Sequence, residues 1–258
     1  MLSIQRLQQK TYRALWLVSL LALTSPKVAA VIPAASQQLV VVTSPDWHSS
    51  VGTLQVFSRT ADGPWQAQPR LRSDVALGRS GLAWGIGLHP EQTGVQKQEG
   101  DGKAPAGLFR LSGSFGAATN APGAMPYLAM QSHHYCIDVP TSVLYNQTVD
   151  IRQYPKAMTT GSTEPMRRDL AAVPDDAYQQ GLFIDHNPRN QPGAGSCIFM
   201  HQRLADKPAT AGCTALPPTD LVALMQWLKP DLQPVYLLLP QAEYQARQQH
   251  WQLPELQP

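Results

Sequence analysis

Residues 195–216 read GSCIFMHQRLADKPATAGCTAL, and this stretch is the most informative part of the sequence. The apolar run from Cys197 to His201, entered through glycine and serine, predicts a strand. On a strand, Cys197, Phe199 and His201 share one face because successive side chains alternate. Eleven residues separate His201 from Cys213. The stretch therefore contains a thiol and an imidazole, the two groups that nucleophilic catalysis by cysteine requires.

Three kinds of site fit these residues. In cysteine catalysis a thiolate attacks while a histidine takes the proton, and the N–H groups of Gly212 and Cys213 would form an oxyanion hole. A zinc site would use Cys197, His201 and Cys213, but a strand separates residues 197 and 201 by about 13 Å, too far for two ligands of one ion. In the third alternative these residues are ordinary core residues of a disulfide-bonded protein. The residue types alone do not distinguish this alternative from catalysis.

The flanking sequence consists of short apolar runs separated by glycine, proline and polar turns, which is typical of a β-rich domain. The predicted strands include residues 39–42, 52–57, 78–88, 107–111, 181–186 and 235–239. One helix is predicted after Pro217, with Thr219 as its N-cap and its end before Pro230. Neither an internal repeat nor a linker divides the chain. We therefore expect one main domain over residues 31–240 and a polar C-terminal tail over 241–258.

The first thirty residues predict a secretory signal sequence. Basic residues precede the ten-residue apolar core Ala14–Leu23, and Val28-Ala29-Ala30 offers a cleavage site. The core is too short for a stable membrane span, although an uncleaved anchor remains the alternative. No second long apolar run follows, so no transmembrane domain is expected after cleavage.

Cleavage changes the charge of the chain. The signal holds four of the 20 basic residues and none of the 18 acidic ones, so the remaining chain has a net charge of −2. A protein without a basic excess has no electrostatic footprint for a phosphate backbone. Nucleic acid is therefore not an expected partner.

The motif GSCIFMH…TAGCTALP resembles the active-site segment of the L,D-transpeptidase (YkuD-type) family, in the branch that reads GSxIFxH…TAGCxAL. Further matches to that branch are GDGK at 100–103, PAGLF at 105–109, GRSGLAWG at 78–85 and Tyr145-Asn146. The resemblance covers about residues 38–240. It implies a mostly β fold, namely a YkuD-like β-sandwich of mixed sheets with a few short helices.

The resemblance also implies roles for individual residues. Cys213 would be the nucleophile and His201 its base, while Gly212 and Cys213 supply the oxyanion backbone and the carbonyl of Gln202 orients the imidazole. Ser196 and Thr210 are further predicted to contact the substrate. His186 and Asn187, which lie just upstream of the motif, are also predicted to contact it, with a structural hydrogen-bonding role as the alternative. No metal or organic cofactor is expected. The chain departs from the family pattern at Ala211, where a histidine is usual, and at Ala215, where asparagine or arginine is usual.

A disulfide follows from the same resemblance. If Cys213 must stay reduced, Cys136 and Cys197 are the available pair, and an oxidising compartment favours such a bridge. The alternative is that both are free and buried. His133-His134 is predicted as a surface pair, with a substrate-side wall as the alternative. Arg167-Arg168 is predicted as a solvated pair, with an arginine fork for a peptide carboxylate as the alternative.

The implied function is that of a periplasmic enzyme acting on peptidoglycan stem peptides. A cysteine thioester would form with release of D-Ala, and an amine of a second stem would resolve it. Resolution by water would instead give an L,D-carboxypeptidase, and the changes at Ala211 and Ala215 keep an amidase acting on another bond open. A non-catalytic wall-binding module is the alternative from a different class. The oligomeric state stays open.

Overall fold

The computed structural model describes residues 31–61, 63–172 and 174–258, so the predicted signal sequence at 1–30 lies outside the described residues. The strands of the described part are Gln38–Ser44 (β1), Val51–Ser58 (β2), Gln66–Ala76 (β3), Leu82–Trp84 (β4), Ala104–Gly116 (β5), Tyr127–Ala129 (β6), His134–Cys136 (β7), Thr148–Asp150 (β8), Glu164–Pro165 (β9), Gln180–Ile184 (β10), Phe199–Gln202 (β11), Thr214–Leu216 (β12) and Val235–Pro240 (β13). Its α-helices are Lys156–Thr159 (α1), Pro218–Trp227 (α2) and Gln241–Trp251 (α3).

Eight of these strands form a closed circuit in the order β10-β11-β12-β3-β2-β1-β13-β5, because β5 also pairs with β10. The pairs β1–β13 and β11–β12 are parallel and the other pairs of the circuit are antiparallel. The junction of β12 with β3 consists of the single pair Ala215 and Ala76. The predicted fold class, mostly β with mixed sheets and a few short helices, is confirmed.

The longest apolar strands lie at the centre of the core. In β1 and β13 the residues from Leu39 to Val42 and from Leu237 to Leu239 are almost fully buried, which explains why they lack polar alternation. Helix α2 adds Leu221, Leu224 and Met225 to the same cluster. This burial of aliphatic side chains is the main force that holds the circuit closed.

The C-terminal segment packs on this core. Helix α3 buries Tyr244 and Trp251, and Leu253 beyond it also joins the core cluster. The Tyr244 hydroxyl donates to the carbonyl of Pro254 at 2.7 Å. The polar residues of 241–258 therefore form the outer face of a docked helix. No helix in the described part is long and apolar enough to cross a membrane.

Two predicted boundaries differ from the structure. The run 78–88 contributes only β4, because Gly81 has a φ of +80° and lies against the Trp47 carbonyl, which turns the chain before Leu82. Helix α2 begins at Pro218 with Pro217 as its N-cap, so Thr219 lies inside the first turn. Proline is favoured there because its fixed φ suits the start of a helix and it has no N–H to leave unpaired.

A second sheet of three strands, in the order β8-β7-β9, lies outside the circuit. Cys136 at the end of β7 forms a disulfide with Cys197, which precedes β11. The two cysteines are 61 residues apart in sequence. The bridge thus ties the small sheet to the segment that enters the site motif.

Candidate active site

Strands β11 and β12 bring the predicted nucleophile and base into one cleft. Their parallel register places Met200 beside Thr214 and His201 beside Ala215. Cys213 directly precedes β12 and therefore comes beside Phe199, on the same face as His201. Both side chains line a cleft of about 380 Å³.

The segment before β11 is not the strand that the sequence predicts. Cys197 has a φ of +56°, and the strand starts only at Phe199. The Cys197 N–H donates to the side chain of Asn146 at 2.9 Å, and its sulfur is bonded to Cys136. These two anchors hold a conformation that a strand residue does not adopt. Since the Cys197 sulfur is oxidised, it offers no thiolate to the zinc site considered above.

Cys213 is the free cysteine of the described residues and is 7% exposed. Its Sγ accepts the N–H of Phe199 at 3.3 Å and lies 3.5 Å from the carbonyl oxygen of Cys197. Burial raises the pKa of Cys213 to about 12, and the nearby carboxylate of Glu164 acts in the same direction. The sulfur is therefore a protonated thiol at neutral pH in the resting site.

His201 is held as a neutral base. Its Nδ1 lies 2.8 Å from the carbonyl oxygen of Gln202, so Nδ1 is the protonated nitrogen and Nε2 keeps its lone pair. The ring of Tyr178 meets the imidazole edge-on at a centroid distance of 5.3 Å. Burial lowers the pKa of His201 to about 4. A neutral thiol and a neutral imidazole mean that the proton must move during attack.

The turn before Cys213 uses its own polar groups. The N–H of Gly212 donates to Thr210 Oγ1 at 3.1 Å, and that hydroxyl donates to the Cys213 carbonyl at 2.7 Å. Both residues line the cleft as predicted, but in the resting site the Gly212 N–H and the Thr210 hydroxyl are engaged within the turn. A Cβ at Gly212 would lie 3.0 Å from the Lys103 carbonyl oxygen, so a side chain there would be in tight contact with this loop.

His186 and Asn187 do not line the cleft, contrary to the prediction. Asn187 is fully buried, and its side chain bonds the backbone of Gln191 and the carbonyl of Gly195. His186 bonds the carbonyl of Ala194 at 2.9 Å. Because their polar atoms satisfy the backbone of loop 187–195, these two residues shape the loop rather than contact a ligand.

Ser196 lines the cleft as predicted, and its hydroxyl donates to Glu99 at 2.6 Å. The cleft lining also contains a network of charged and polar side chains that the sequence does not predict. Arg168 bonds Asp175 at 2.8 Å and Glu164 at 3.3 Å, and the Tyr178 hydroxyl donates to Glu164 at 2.6 Å. Arg168 is therefore a cleft residue and not the solvated group that was predicted. Its members all lie within residues 164–178, whose described residues form no continuous helix or strand, so their spacing in the sequence does not signal the network.

The residues that could hold a metal lie elsewhere. His133, His134 and Asp150 have ligand atoms within 4.8 Å of one another on the small sheet. Arg152 already bonds the Asp150 carboxylate at 2.7 Å, and the N–H of Gln131 occupies His134 Nδ1. The half-buried pair His133-His134 thus has protein partners at the edge of β7 and β8.

Comparison with known proteins places this site in a family. A family model described as YkuD, the L,D-transpeptidase catalytic domain, matches residues 60–237. The chain belongs to the YkuD family. The match covers more than half of the chain and includes both β11 and β12, so the cleft of Cys213 and His201 lies inside the L,D-transpeptidase catalytic domain. No curated protein and no solved structure matches the chain.

The buried imidazole of His186 predicts a loss of stability in acid. Burial lowers the pKa of His186 from 6.5 to about 4, so the folded state keeps the ring neutral while the unfolded chain takes up a proton below pH 6.5. Its contribution is present above pH 6.5 and is lost as the pH falls towards 4, by about 3 kcal/mol. Urea unfolding at pH 7.5, 5.5 and 4.5 should show this decline, to which His201 adds because burial also lowers its pKa to about 4. The exposed His250→Gln variant should leave the slope unchanged, and equal unfolding free energies at pH 7.5 and 4.5 would contradict the prediction.

Proposed function

We propose that this YkuD domain is a periplasmic L,D-transpeptidase that cuts and rejoins peptidoglycan stem peptides through Cys213. The observation that carries the proposal is the pairing, in one cleft, of a free cysteine with a histidine whose Nδ1 is fixed by the Gln202 carbonyl. A nucleophile, a base and a group that orients the base are the requirements for acyl transfer by cysteine. Family membership supplies the substrate class, peptidoglycan.

The first half of the reaction forms a thioester. As Cys213 Sγ attacks the carbonyl of the L-centre before the terminal D-Ala, its proton passes to His201 Nε2. The carbonyl oxygen becomes an oxyanion, for which we assign the N–H of Cys213 as a donor, since the N–H of Gly212 is engaged by Thr210. Collapse of the intermediate breaks the C–N bond, and His201 returns the proton to the departing amine of D-Ala.

The second half resolves the thioester. An amine of another stem peptide attacks the acyl carbon, His201 takes the amine proton, and the same proton leaves with the Cys213 thiol. A new peptide bond then links the two stems. Thiol and imidazole supply the nucleophile and the proton relay, so the proposed reaction calls for no cofactor.

The location is inferred from two features. The predicted signal sequence would direct the chain out of the cytoplasm, and the Cys136–Cys197 disulfide is of the kind that persists in an oxidising compartment. Both support a periplasmic enzyme, where stem peptides are present.

The test is the mass of the products formed from a disaccharide-tetrapeptide by the mature protein. Release of D-Ala together with a cross-linked dimer is the expected result. Tripeptide without dimer would replace the transpeptidase with an L,D-carboxypeptidase. Cleavage at another bond would indicate an amidase, and an unaltered tetrapeptide with folded protein would indicate a wall-binding module.

A further inference from the structure

Glu99 is a cleft carboxylate that lacks a cationic partner among the described residues. Three of the four cations that line the cleft are paired with other carboxylates, and the fourth, Arg79, forms no ion pair with Glu99. Lys97 bonds Asp101 at 2.5 Å, while Arg168 and Lys207 share Asp175 at 2.8 and 3.1 Å. Glu99 lines the same cleft as Cys213 and appears in no ion pair of the described part.

The carboxylate is held rigidly with one oxygen available. Glu99 Oε2 accepts the hydroxyls of both Tyr145 and Ser196, the latter at 2.6 Å. Tyr145 is buried, so its hydroxyl is a fixed donor. Glu99 Oε1 receives only the N–H of Gly100 at 3.2 Å. A preorganised oxygen with a vacant acceptor position is suited to a charged donor from a ligand.

Ser196 couples this carboxylate to the reacting centre. Ser196 precedes Cys197, whose carbonyl oxygen lies 3.5 Å from Cys213 Sγ. Glu99, Ser196 and Cys213 therefore line the one cleft that a substrate has to enter to bring its carbonyl to the sulfur. A second unpaired carboxylate of the cleft, Asp138, is less suited because Thr163 donates to both of its oxygens.

We propose that Glu99 binds an ammonium group of the substrate and selects donor peptides that carry a free amine on the residue attacked by Cys213. This inference rests on the proposed function, because it assumes a stem peptide in the cleft. A diamino acid at that position meets the requirement, since its side-chain ammonium supplies the missing cation. Removing that positive charge should weaken binding by about 10-fold, as expected for a charge-assisted hydrogen bond at a half-buried site.

The test measures binding apart from catalysis. Two probes, L-Ala-γ-D-Glu-L-Lys-D-Ala and the same peptide with an acetylated lysine amine, are titrated calorimetrically into Cys213→Ala protein. The free amine should bind about 10-fold more tightly. Adding Glu99→Gln, which keeps the shape and the contacts with both hydroxyls, should reduce this ratio to about one while affinity for the acetylated peptide stays the same. Adding Glu91→Gln, an exposed carboxylate outside the cleft, should leave the ratio unchanged.

Several outcomes would overturn the inference. These are a ratio near one with Glu99 present, a ratio that survives Glu99→Gln, an equal loss for both peptides, and no binding of either probe. Release of D-Ala by the protein with Cys213 intact is measured in parallel. Discrimination between the probes without any D-Ala release would refute the proposed reaction and leave the ammonium site in place.

Discussion

Cys213→Ser abolishes D-Ala release and the acyl-enzyme mass adduct while the fold is retained. The substitution removes the sulfur nucleophile but leaves a hydroxyl of similar shape, and a serine beside a base this weak is a poor nucleophile. We expect a rate loss of about 10⁴-fold or more, in line with the loss of an entire covalent route. Intact mass and muropeptide analysis measure it. Unchanged thermal unfolding shows that the fold survives, and residual cross-linking above about 1% of the unsubstituted rate would refute the assignment.

The same thiol should show a distinctive pH profile. Burial holds the pKa of Cys213 near 12 and that of His201 near 4, so no thiolate–imidazolium pair forms at neutral pH in the resting site. Alkylation of Cys213 by iodoacetamide should therefore be slow at pH 7 and should rise with pH up to at least pH 9. Ser73→Ala, which lies outside the cleft, should share the profile. A rate that is already constant from pH 5 upward would show a preformed ion pair and overturn this description of the site.

Removal of the Cys136–Cys197 disulfide is the largest expected change in stability. The bridge closes a loop of 61 residues, so its loss should cost about 4 kcal/mol, mainly by freeing the unfolded chain. For a domain of this size the melting temperature should fall by about 8–16 °C. The double variant Cys136→Ser/Cys197→Ser is compared by calorimetry with the original protein, with and without a reductant.

Two comparisons make the disulfide prediction specific. The reductant should lower the melting temperature of the original protein to that of the double variant, whereas it should not alter the double variant. Cys213→Ser should respond to the reductant as the original protein does, because Cys213 is not bonded. A change below about 2 °C on reduction would refute the prediction. Activity should fall as well, since Cys197 contacts the Cys213 sulfur through its carbonyl.

The two motif positions that hold alanine differ in their surroundings. Ala215 is buried beside His201 in the strand register, so a longer polar side chain there would need a partner in the core. Ala211 is exposed at the tip of the turn that Thr210 closes. The polar contacts of the cleft come instead from residues of other segments, of which Glu99 and Arg168 are the clearest.

Local patterns were sufficient for much of this protein. The apolar runs at 39–42 and 235–239 predict buried strands because a strand covered on both faces has no polar alternation, and β1 and β13 have those properties. The motif 195–216 contains a thiol and an imidazole, and its resemblance to the YkuD branch implies the pairing of Cys213 with His201. Resemblance to the YkuD branch supplied the disulfide partners, which cysteine spacing alone leaves undetermined.

Tertiary structure decided the contacts that depend on distant segments. Ser196 and Glu99 meet across 97 residues of sequence, and no periodicity reports such a contact. The same limit explains why the sequence leaves both a substrate contact and a structural role open for His186 and Asn187. In the folded chain their polar atoms satisfy the buried backbone of their own loop. Hydrogen-bond partners, and hence whether the Gly212 N–H is free, are settled by the folded chain alone. Residue types therefore predict the class of chemistry. Which polar groups remain free to contact a substrate depends on how the chain packs.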